Sequence, residues 1–579
     1  MRRKRKLSDF KEIGGVYVLP DDPSTTFGYS DGMRTEQGIF DIIRSTGDVS
    51  DGSTELMARA RTWPEYYHLG VGRSNILRCL SLNPESSVLE LGAGCGGITR
   101  YLGENFARVD AIEGSERRAR IARERCRGLD NVRVFCANFQ DIEISSSYDI
   151  VTLIGVLEYA PVYFGEEEGR GEQACLNLLQ FAKRALNPTG VLVIAIENRV
   201  GIKYWSGCPE DHTGRLFDGL CGYVNERGPI TFSRPELKAL LSQAGFAGIS
   251  FYFCYPDYKF ASTIFSDIGN EREFFLHNWV ETPFSGYVNP RIYTFHEGAI
   301  LKTLSSLGLL KEFANSFLVV AGRGSVPPAP WIAKRFAMNR HRHLRCVTTL
   351  LAPSASTPDV YISKERLDGE DKERFVEGGG IRVKHKIFSV PWYTGDLLIY
   401  EFFDAMRHSN YKKKIYDLLS VYHDELLRRY SIRQTDMFGY PLLKGSAFDF
   451  IPRNIIKRQS ALCCIDEEWE IQQPLPVDFM MYRCISLDVI EGQYIWIRER
   501  IKNIEKSTVA WIRQFYPQYG SRRNRENRLL EEKFQKVVGC EINIRHVILR
   551  SRSGILSNQK IWRIAKWVWK RLPGSIKQK

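Results

Sequence analysis

Short apolar runs alternate with amphipathic helical patterns from about residue 61 to residue 324. Apolar runs of this length, separated by helices, are typical of sheet strands that are buried on both faces. Seven strands are predicted, at Val88–Leu91, Val109–Ile112, Val132–Phe135, Ile150–Ile154, Val191–Ile196, Ile249–Tyr255 and Phe317–Ala321. The pattern therefore predicts an α/β domain over residues 61–324 with a mainly parallel sheet.

The rest of the chain divides by composition. Residues 1–60 are polar and rich in Gly, Ser and Asp, and we interpret them as a lead-in. The proline-rich segment 325–330 cannot continue a helix or a central strand, so it is predicted to be a linker. Residues 331–490 show strand, then helix, then hairpin patterns, which predict a second, α+β domain. Residues 491–579 are predicted to be helical and become increasingly basic.

Charge changes this picture mainly at the two ends. The chain carries a formal net charge of +13. The basic cluster at residues 2–6 and the acid-free segment after Glu541 together carry +15, so the residues between them carry −2. A nearly neutral body argues against nucleic acid as a partner, and basic ends favour an anionic surface.

Cysteine usage and hydropathy indicate the compartment. The 13 cysteines contain no C-x-x-C pair, which argues against a disulfide framework or a zinc site and favours a reducing cytosol. No apolar run approaches the roughly 18 residues that a membrane-spanning helix needs. The sequence therefore predicts a cytoplasmic protein, which the basic ends would hold at the inner face of the plasma membrane.

The first candidate site follows the first predicted strand. That strand runs directly into Gly92, Gly94 and Gly96, and a helical pattern opens at Ile98. Glycines let the backbone turn sharply and approach a ligand, and the helix N-terminus offers unpaired N–H groups. A purely structural βα turn has the same composition, so the glycines alone leave both interpretations open.

An acidic residue after the second strand favours a nucleoside ligand. The second predicted strand ends in Glu113, about twenty residues beyond the glycines, where a carboxylate accepts hydrogen bonds from ribose hydroxyls. Dinucleotides and S-adenosylmethionine (SAM) are both bound in this way. The two cofactors have to be separated by the details of the motif.

The glycine motif reads E-x-G-x-G-x-G, with Glu90 inside the strand, and resembles the first motif of class I SAM-dependent methyltransferases. The resemblance implies a seven-stranded Rossmann-like domain and favours SAM over NAD(P). It also implies that Glu90 and the three glycines bind SAM, that Glu113 binds the ribose and that Asn138 contacts the adenine. The family usually has an acid where Asn138 stands, and an amide can also meet the adenine amino edge.

A longer resemblance covers about residues 63–325. The segments Tyr67–Ser74, Ala195–Trp205, Pro209–His212 and Tyr255–Lys259 resemble bacterial methyltransferases found with surface-polysaccharide and O-antigen assembly. The resemblance implies O-methylation of a sugar, in a polysaccharide or in its lipid-linked precursor.

The catalytic candidates lie where strands four and five end. Open α/β sheets bind ligands at the carboxyl ends of their strands, which points to Glu158, Glu197 and Asn198. A hydroxyl acceptor also needs a base, and His212 is the candidate because imidazole titrates near neutral pH and Asp211 adjoins it. The alternatives are that Glu197 and Asn198 only brace the loop and that His212 is an ordinary surface residue.

A second candidate site lies in the second domain. Asp449, Asn454 and Asp466 follow the order in which phosphotransferases place a proton acceptor and two Mg²⁺ ligands. This pattern resembles small-molecule and sugar kinases of the protein-kinase-like fold. The resemblance implies that Asp449 is catalytic, that Asn454 and Asp466 bind Mg²⁺, and that Lys364 pairs with the phosphates of ATP.

The resemblance also implies positions for other elements of that fold. Glu370 or Glu373, in a predicted helix, would pair with Lys364, Leu397–Phe403 would be a strand, and Tyr411–Tyr430 a long helix.

Two features depart from the kinase pattern. Ala447 and Phe448 stand where protein kinases usually carry His and Arg, and no G-x-G-x-x-G loop precedes Lys364. Two alternatives therefore stay open. The chain could be a bifunctional methyltransferase–kinase that caps a glycan chain, or its C-terminal half could be a non-catalytic module that recruits glycosyltransferases.

The basic tail contains one amphipathic segment, residues 560–572. Wound as a helix, it places most apolar residues on one arc and the basic residues on the other. Tryptophans flanked by basic residues suit the headgroup region of an anionic membrane. Docking on a protein partner and packing on the chain itself are the alternatives.

Overall fold

The structure, a computed structural model, describes residues 4–19, 30–144, 147–164, 171–223, 228–287, 291–353, 360–458, 461–491, 497 and 500–539. The predicted tail helix at 560–572 lies outside the described residues. In the described part of the chain, no helix is both long enough and apolar enough to cross a membrane.

The strands are bounded as follows: β1 Arg5–Lys6, β2 Lys11–Ile13, β3 Val16–Val18, β4 Ser87–Leu91, β5 Arg108–Glu113, β6 Val132–Cys136, β7 Ile142–Glu143, β8 Tyr148–Ile154, β9 Leu186–Glu197, β10 Gly248–Tyr255, β11 Thr263–Ser266, β12 Ser316–Gly322, β13 Trp331–Ala337, β14 Cys346–Leu351, β15 Tyr361–Arg366, β16 Arg374–Gly378, β17 Ile381–His385, β18 Phe388–Pro391, β19 Ser431–Thr435, β20 Pro441–Leu443, β21 Ile455–Arg458, β22 Ala461–Cys464, β23 Trp469–Ile471 and β24 Leu475–Pro476.

The helices are bounded as follows: α1 Met33–Arg44, α2 Thr54–Arg59, α3 Trp63–Leu69, α4 Asn75–Arg78, α5 Gly97–Asn105, α6 Glu116–Arg125, α7 Ala160–Tyr163, α8 Glu172–Ala185, α9 Ile202–Trp205, α10 Arg234–Gln243, α11 Glu297–Leu307, α12 Leu398–Arg407, α13 Tyr411–Tyr430, α14 Val477–Tyr482, α15 Ile504–Ile512 and α16 Ser521–Val538. A π-helix at Arg483–Ile490 continues α14.

The seven predicted strands are confirmed as β4, β5, β6, β8, β9, β10 and β12. They lie in the order β6-β5-β4-β8-β9-β12-β10, and β12 alone runs against the other six. A dinucleotide-binding sheet places its sixth strand directly beside the fifth. Here β12 lies between those two strands, so the sheet is Rossmann-like without having the dinucleotide-binding order.

This sheet is longer than the seven strands at both edges. Strands β3 and β2 extend one edge, because β3 pairs in parallel with β6 at Tyr17 and Phe135. Strands β11, β13, β14, β15 and β18 extend the other, which makes 14 strands among the described residues. The sheet is therefore continuous from the first domain into the second, across the predicted linker at 325–330.

The residues beyond the sheet have their own apolar core. It is formed by α12, α13, α14 and the helices after them, together with the β21–β22 hairpin. The prediction of strands, then helices, then a hairpin matches this order, and the long helix predicted at Tyr411–Tyr430 is confirmed as α13.

The predicted strand at Leu397–Phe403 is wrong, because residues 398–407 form α12. Its buried side chains include Leu398, Phe402, Ala405 and Met406, at the three- and four-residue spacing of one helix face. A short apolar run fits a buried strand and a buried helix equally well, so the sequence pattern did not separate them.

Candidate functional site

The glycine turn joins β4 to α5 and has a conformation that other residues rarely adopt. Gly92, Gly94 and Gly96 have φ angles of 85°, 57° and 81°. A Cβ atom on Gly92 would lie 2.5 Å from Val156 Cγ2, so that position has no space for a larger residue. The backbone therefore passes close to the loop after β8, at the carboxyl edge of the sheet.

Glu113 ends β5 and is held beside this turn. Its carboxylate accepts hydrogen bonds from the backbone N–H groups of Gly94, at 2.7 Å, and Ser115, at 3.0 Å. Strands β4 and β5 pair in parallel, which brings their carboxyl ends to the same edge. The two parts of the predicted nucleoside site therefore lie together.

Glu90 and Asn138 lie in different surroundings. Glu90 is buried, and burial raises its pKa to about 7, against the influence of the nearby Thr99 and with help from the charge of Glu113. Asn138 donates a hydrogen bond to Asp141 at 3.2 Å. Asn138 lines the cavity described next, whereas Glu90 lies behind the turn within β4.

A cavity of about 300 Å³ opens at this edge of the sheet. Its wall includes Gly92, Glu113 and Asn138 at one end and His212 at the other. Residues that the sequence did not indicate also line it: Asp31, Trp63, His68, Arg118, Tyr159, Tyr258 and Lys259. Asp31 and His68 belong to segments distant from the glycine motif, and they pair with each other at 3.0 Å.

A network of ionisable side chains adjoins the cavity and reaches it through Asp211, His212 and Lys259. Within the described residues, contacts of 3.6 Å or less join five carboxylates with three basic side chains. They are Glu158, Glu197, Glu210, Asp211, Asp257, Lys203, Lys259 and His212. We call these eight residues the polar cluster. Three of the four predicted catalytic residues belong to it.

His212 is held by a different acid from the one that the sequence suggested. Its Nδ1 lies 2.8 Å from Glu210 Oε1, whereas the adjoining Asp211 binds Lys203 at 2.6 Å and Lys259 at 2.9 Å. Burial opposes the charged imidazole, but Glu158 and Glu210 outweigh it and raise the pKa of His212 to about 10. A histidine that retains its proton at neutral pH acts as a donor, so these surroundings oppose the predicted role as base.

Asn198 points away from the cavity. Its side-chain NH₂ group donates to the backbone carbonyls of Glu312, at 2.9 Å, and Ala314, at 2.8 Å, and its Oδ1 accepts from Val200 N–H at 3.1 Å. These bonds brace the loop after β9 against the loop before β12. The structure therefore places Asn198 in a bracing position instead of the predicted catalytic one.

The remaining members of the polar cluster lie in segments that are recognisable in the sequence, although the sequence did not mark them as site residues. Lys203, Glu210, Asp257 and Lys259 all fall within the unusual segments that carried the family resemblance. The segments were recognisable, but these side chains come from three separate segments, namely α9, the loop after α9 and the loop after β10. Only the fold brings them together.

The second domain also brings its predicted residues to one cavity. Lys364, Asp449, Asn454 and Asp466 line a cavity of about 600 Å³. Lys364 Nζ lies 2.6 Å from Asp466 Oδ1 and 2.9 Å from Glu468 Oε2. Two predicted elements of a phosphate-binding site, the lysine and the second aspartate, are therefore paired.

Asp449 and Asn454 lie next to each other in this cavity. Asp449 accepts a hydrogen bond from the Trp469 backbone N–H at 2.5 Å, and Asn454 donates to the Asp449 carbonyl at 3.1 Å. Burial and the neighbouring Asp466 raise the pKa of Asp449 to about 8. A carboxyl group with this pKa can exchange a proton near neutral pH.

The predicted partner of Lys364 is wrong. The segment directly after β15 does not form the predicted helix, because residues 374–385 form the β16–β17 hairpin. In that hairpin region Glu370 binds Arg374 at 2.8 Å and Glu373 binds Lys384 at 2.5 Å. Glu468, two residues after Asp466, takes the position beside Lys364.

Comparison with protein-family models finds a match for the segment that forms part of the first cavity. Residues 89–192, which contain the glycine turn, Glu113, Asn138 and Glu158, match the family model described as a methyltransferase domain. This match confirms the prediction of a methyltransferase domain for that part of the chain.

The curated relatives cover a short stretch. The chain is 31% identical over 81 residues to cyclopropane-fatty-acyl-phospholipid synthase of Escherichia coli strain K12 and of strain CFT073. The match covers 14% of this chain and 20% of the relative, so the chain spans about a fifth of the length of these relatives.

Solved methyltransferase structures are similar at low identity. A SAM-dependent methyltransferase of Thermotoga maritima is 17% identical, with 44% of this chain and 88% of that chain covered and a TM-score of 0.25. One from Mesorhizobium loti is 18% identical, with 44% and 98% covered and a TM-score of 0.26.

Proposed function

We propose that this protein is a SAM-dependent methyltransferase that methylates a hydroxyl group. The observation that carries the proposal is the joint position of the glycine turn and Glu113 on the wall of the 300 Å³ cavity, within the segment that matches a methyltransferase domain. The strand order supports SAM over a dinucleotide, because β12 separates β9 from β10.

The cavity has residues suited to the separate parts of this cofactor. The left-handed glycines let the backbone approach the ligand, and the N-terminus of α5 lies directly behind them. The Glu113 carboxylate has lone pairs beyond its two backbone hydrogen bonds, and these can accept from two ribose hydroxyls. Asn138 would meet the adenine amino edge.

SAM, when bound, supplies a methyl group on a positively charged sulfur. The hydroxyl oxygen forms the new C–O bond as the C–S bond breaks, and the sulfur keeps the electron pair of that bond. The hydroxyl proton passes to the polar cluster, of which Asp211, His212 and Lys259 line the cavity. Positioning of the hydroxyl against the methyl group supplies much of the rate.

A sugar is the acceptor that we propose, in a surface polysaccharide or in its lipid-linked precursor. The resemblance of residues 63–325 to polysaccharide methyltransferases motivates this acceptor. An aromatic wall supports it, because Trp63 lines the cavity and stacks on Tyr287 with ring centroids 4.1 Å apart. Flat aromatic faces suit the apolar faces of sugar rings.

SAM titrated into the purified protein tests the cofactor. Gly94→Asp should weaken SAM binding roughly 100-fold, because it adds a carboxylate beside Glu113 in a left-handed position. Gly128→Asp is the matched control, since Gly128 is exposed and also left-handed, with φ of 77°. No SAM binding by the unmodified protein would overturn the proposal.

Mass spectrometry of the glycan made with and without the protein identifies the acceptor.

We propose kinase activity as a second candidate function, with ATP and Mg²⁺ as cofactors. The pairing of Lys364 with Asp466, beside Asp449 and Asn454, supports it. A separate apolar cavity of about 320 Å³ adjoins this site, and Ile362, Phe388, Val390 and Ile465 line it. An adenine base could lie there while its phosphates reach Lys364.

An active kinase and a non-catalytic recruitment module can be distinguished by experiment. Mg-ATP should stabilise the protein against heat, and Asp466→Ala should abolish that effect if the site binds nucleotide. Phosphate transfer that Asp449→Ala removes would identify an active kinase. Binding without transfer would instead favour the module that recruits glycosyltransferases.

We also propose that residues 560–572 hold the protein at an anionic membrane surface. The sequence pattern of that segment motivates this proposal. Truncation after Asn558 should release the protein from anionic liposomes, and binding that survives the truncation would contradict it.

A further inference from the structure

Three side chains of the polar cluster converge on one point. Glu158, Glu197 and His212 each offer a ligand atom, and these atoms lie within 4.8 Å of one another. His212 Nε2 is 3.6 Å from Glu158 Oε1 and 3.6 Å from Glu197 Oε2. Both distances are longer than a hydrogen bond. Around a cation with ligands at about 2.1 Å, neighbouring ligand atoms are about 3.0–3.4 Å apart, close to this spacing.

Three of the four carboxylate oxygens of Glu158 and Glu197 lack hydrogen-bond partners among the described residues. Both oxygens of Glu158 and Oε2 of Glu197 are buried and have no such partner among the described residues. Both side chains are 0% exposed. A buried carboxylate without a partner costs several kcal/mol, and a cation is the usual compensation.

The surrounding residues orient these atoms as a metal site requires. Glu210 binds Nδ1 of His212 at 2.8 Å, which leaves Nε2 to face the carboxylates of Glu158 and Glu197. A carboxylate on the far ring nitrogen is the usual support of a metal-binding histidine. Lys259 binds Oε1 of Glu197, so Oε2 is the oxygen that remains free.

We propose that Glu158, Glu197 and His212 bind one divalent first-row metal ion, such as Mn²⁺ or Zn²⁺, behind the His212 wall of the methyltransferase cavity. The ion would take the place of the proton on His212 Nε2. One imidazole and two carboxylates suit these ions, whereas Mg²⁺ and Ca²⁺ prefer oxygen ligands throughout. Three protein ligands leave positions open, as in catalytic metal sites.

The open positions would take the acceptor hydroxyl and lower its pKa. Ion binding is independent of the methyl transfer proposed above, whereas the ion's part in activating the hydroxyl rests on it.

A second cluster with the right residue types does not suit a cation. Cys346, His385 and Glu468 also offer three close ligand atoms. Glu468, however, already binds Arg340 and Lys364, with Lys364 at 2.9 Å. The two positively charged side chains that already bind this carboxylate disfavour the binding of a metal cation to it.

Metal binding by the full-length protein tests the inference directly. A chelator first removes bound metal from the protein. Binding of Mn²⁺ is then measured by electron paramagnetic resonance, and binding of Zn²⁺ by calorimetry. About one ion should bind per chain, and Glu158→Gln or His212→Gln should weaken binding at least tenfold. Glu210→Gln should weaken it by about 10–100-fold through the orientation of His212. His423→Gln, remote from the cavity, is the matched control and should bind as the unmodified protein does.

The outcomes separate this inference from the proposed function. SAM binding is measured on every variant, because it reports that the glycine turn is folded independently of the metal. A protein that binds SAM but neither metal ion overturns the inference and leaves the methyltransferase proposal standing. Metal binding that survives His212→Gln also overturns it. Metal binding without SAM binding overturns the methyltransferase proposal alone.

Discussion

The two cavities of this protein differ in how their charges are satisfied. Behind the wall of the first, Glu90 and Glu158 are buried and retain carboxylate oxygens without hydrogen-bond partners among the described residues. In the second, Glu468 is equally buried but binds Arg340, Lys364 and His385 at once. The carboxylates beside the first cavity therefore keep acceptors that the protein does not use, whereas Glu468 belongs to a network that is complete within the protein.

The difference separates residues that bind from residues that stabilise. A carboxylate saturated by three basic groups contributes mainly to the stability of its domain, because removing it would leave buried positive charges uncompensated. A carboxylate without partners costs stability and is retained where a ligand supplies the missing contact. Substitutions at the two kinds of site should therefore differ in what they change.

The largest effect should come from Glu468→Gln. It removes the carboxylate that binds Arg340 and leaves Lys364 only its contact with Asp466, which should lower the free energy of unfolding of the second domain by about 3 kcal/mol. Glu470→Gln is the control, since Glu470 binds Lys386 at the surface and its loss should cost less than about 1 kcal/mol. Chemical denaturation measures both variants. Equal losses would mean that the Glu468 network does not stabilise the domain.

A smaller effect is expected from Gly92→Ala. The added Cβ would lie 2.5 Å from Val156 Cγ2, so the variant should lose about 1–3 kcal/mol more than Gly128→Ala, which is left-handed but has open space. SAM affinity should fall with it, because the turn must shift. Thermal unfolding and SAM titration check the pair. If the two alanine variants behave alike, the close approach of the turn to the β8 loop is not needed.

The smallest effect should be a pH dependence of SAM binding. Burial raises the pKa of Glu90 to about 7, so this carboxyl group should change its protonation across neutral pH. A bound cation favours the ionised carboxylate, so SAM affinity should rise from pH 6 to pH 8 and then level off, by up to about tenfold for each unit by which the pKa falls. Calorimetry across this range measures the slope.

Glu90→Gln provides the control for that slope. Glutamine cannot ionise, so the affinity of this variant should no longer change across pH 6–8. An unchanged slope in Glu90→Gln would assign the titration to another group and show that the charge of Glu90 does not affect SAM binding.

The first cavity was predicted from sequence at one end only. The glycine turn and Glu113 are short-range features, because each lies directly after a strand whose apolar run marks its position. Lys203 and Lys259 were not predicted, although both lie within recognised segments. Nothing in a linear pattern indicates which loop side chains will meet across a sheet edge.

The second domain shows the same limit in another form. The order of Lys364, Asp449, Asn454 and Asp466 was readable, and the fold brings all four to one cavity. Glu468 was not anticipated, because the family pattern suggested a helix after β15 and the chain forms a hairpin there.

The sequence by itself determined the strands, the glycine turn and the basic ends of this protein, because backbone conformation, burial period and net charge depend on residues close together in the chain. The tertiary structure alone decided that β12 inserts between β9 and β10, that Asn198 braces a loop, and that Glu210 rather than Asp211 holds His212. These outcomes depend on packing between segments far apart in sequence. Electrostatic roles follow from that packing, since a carboxylate's partners are fixed only when its neighbours in space are known.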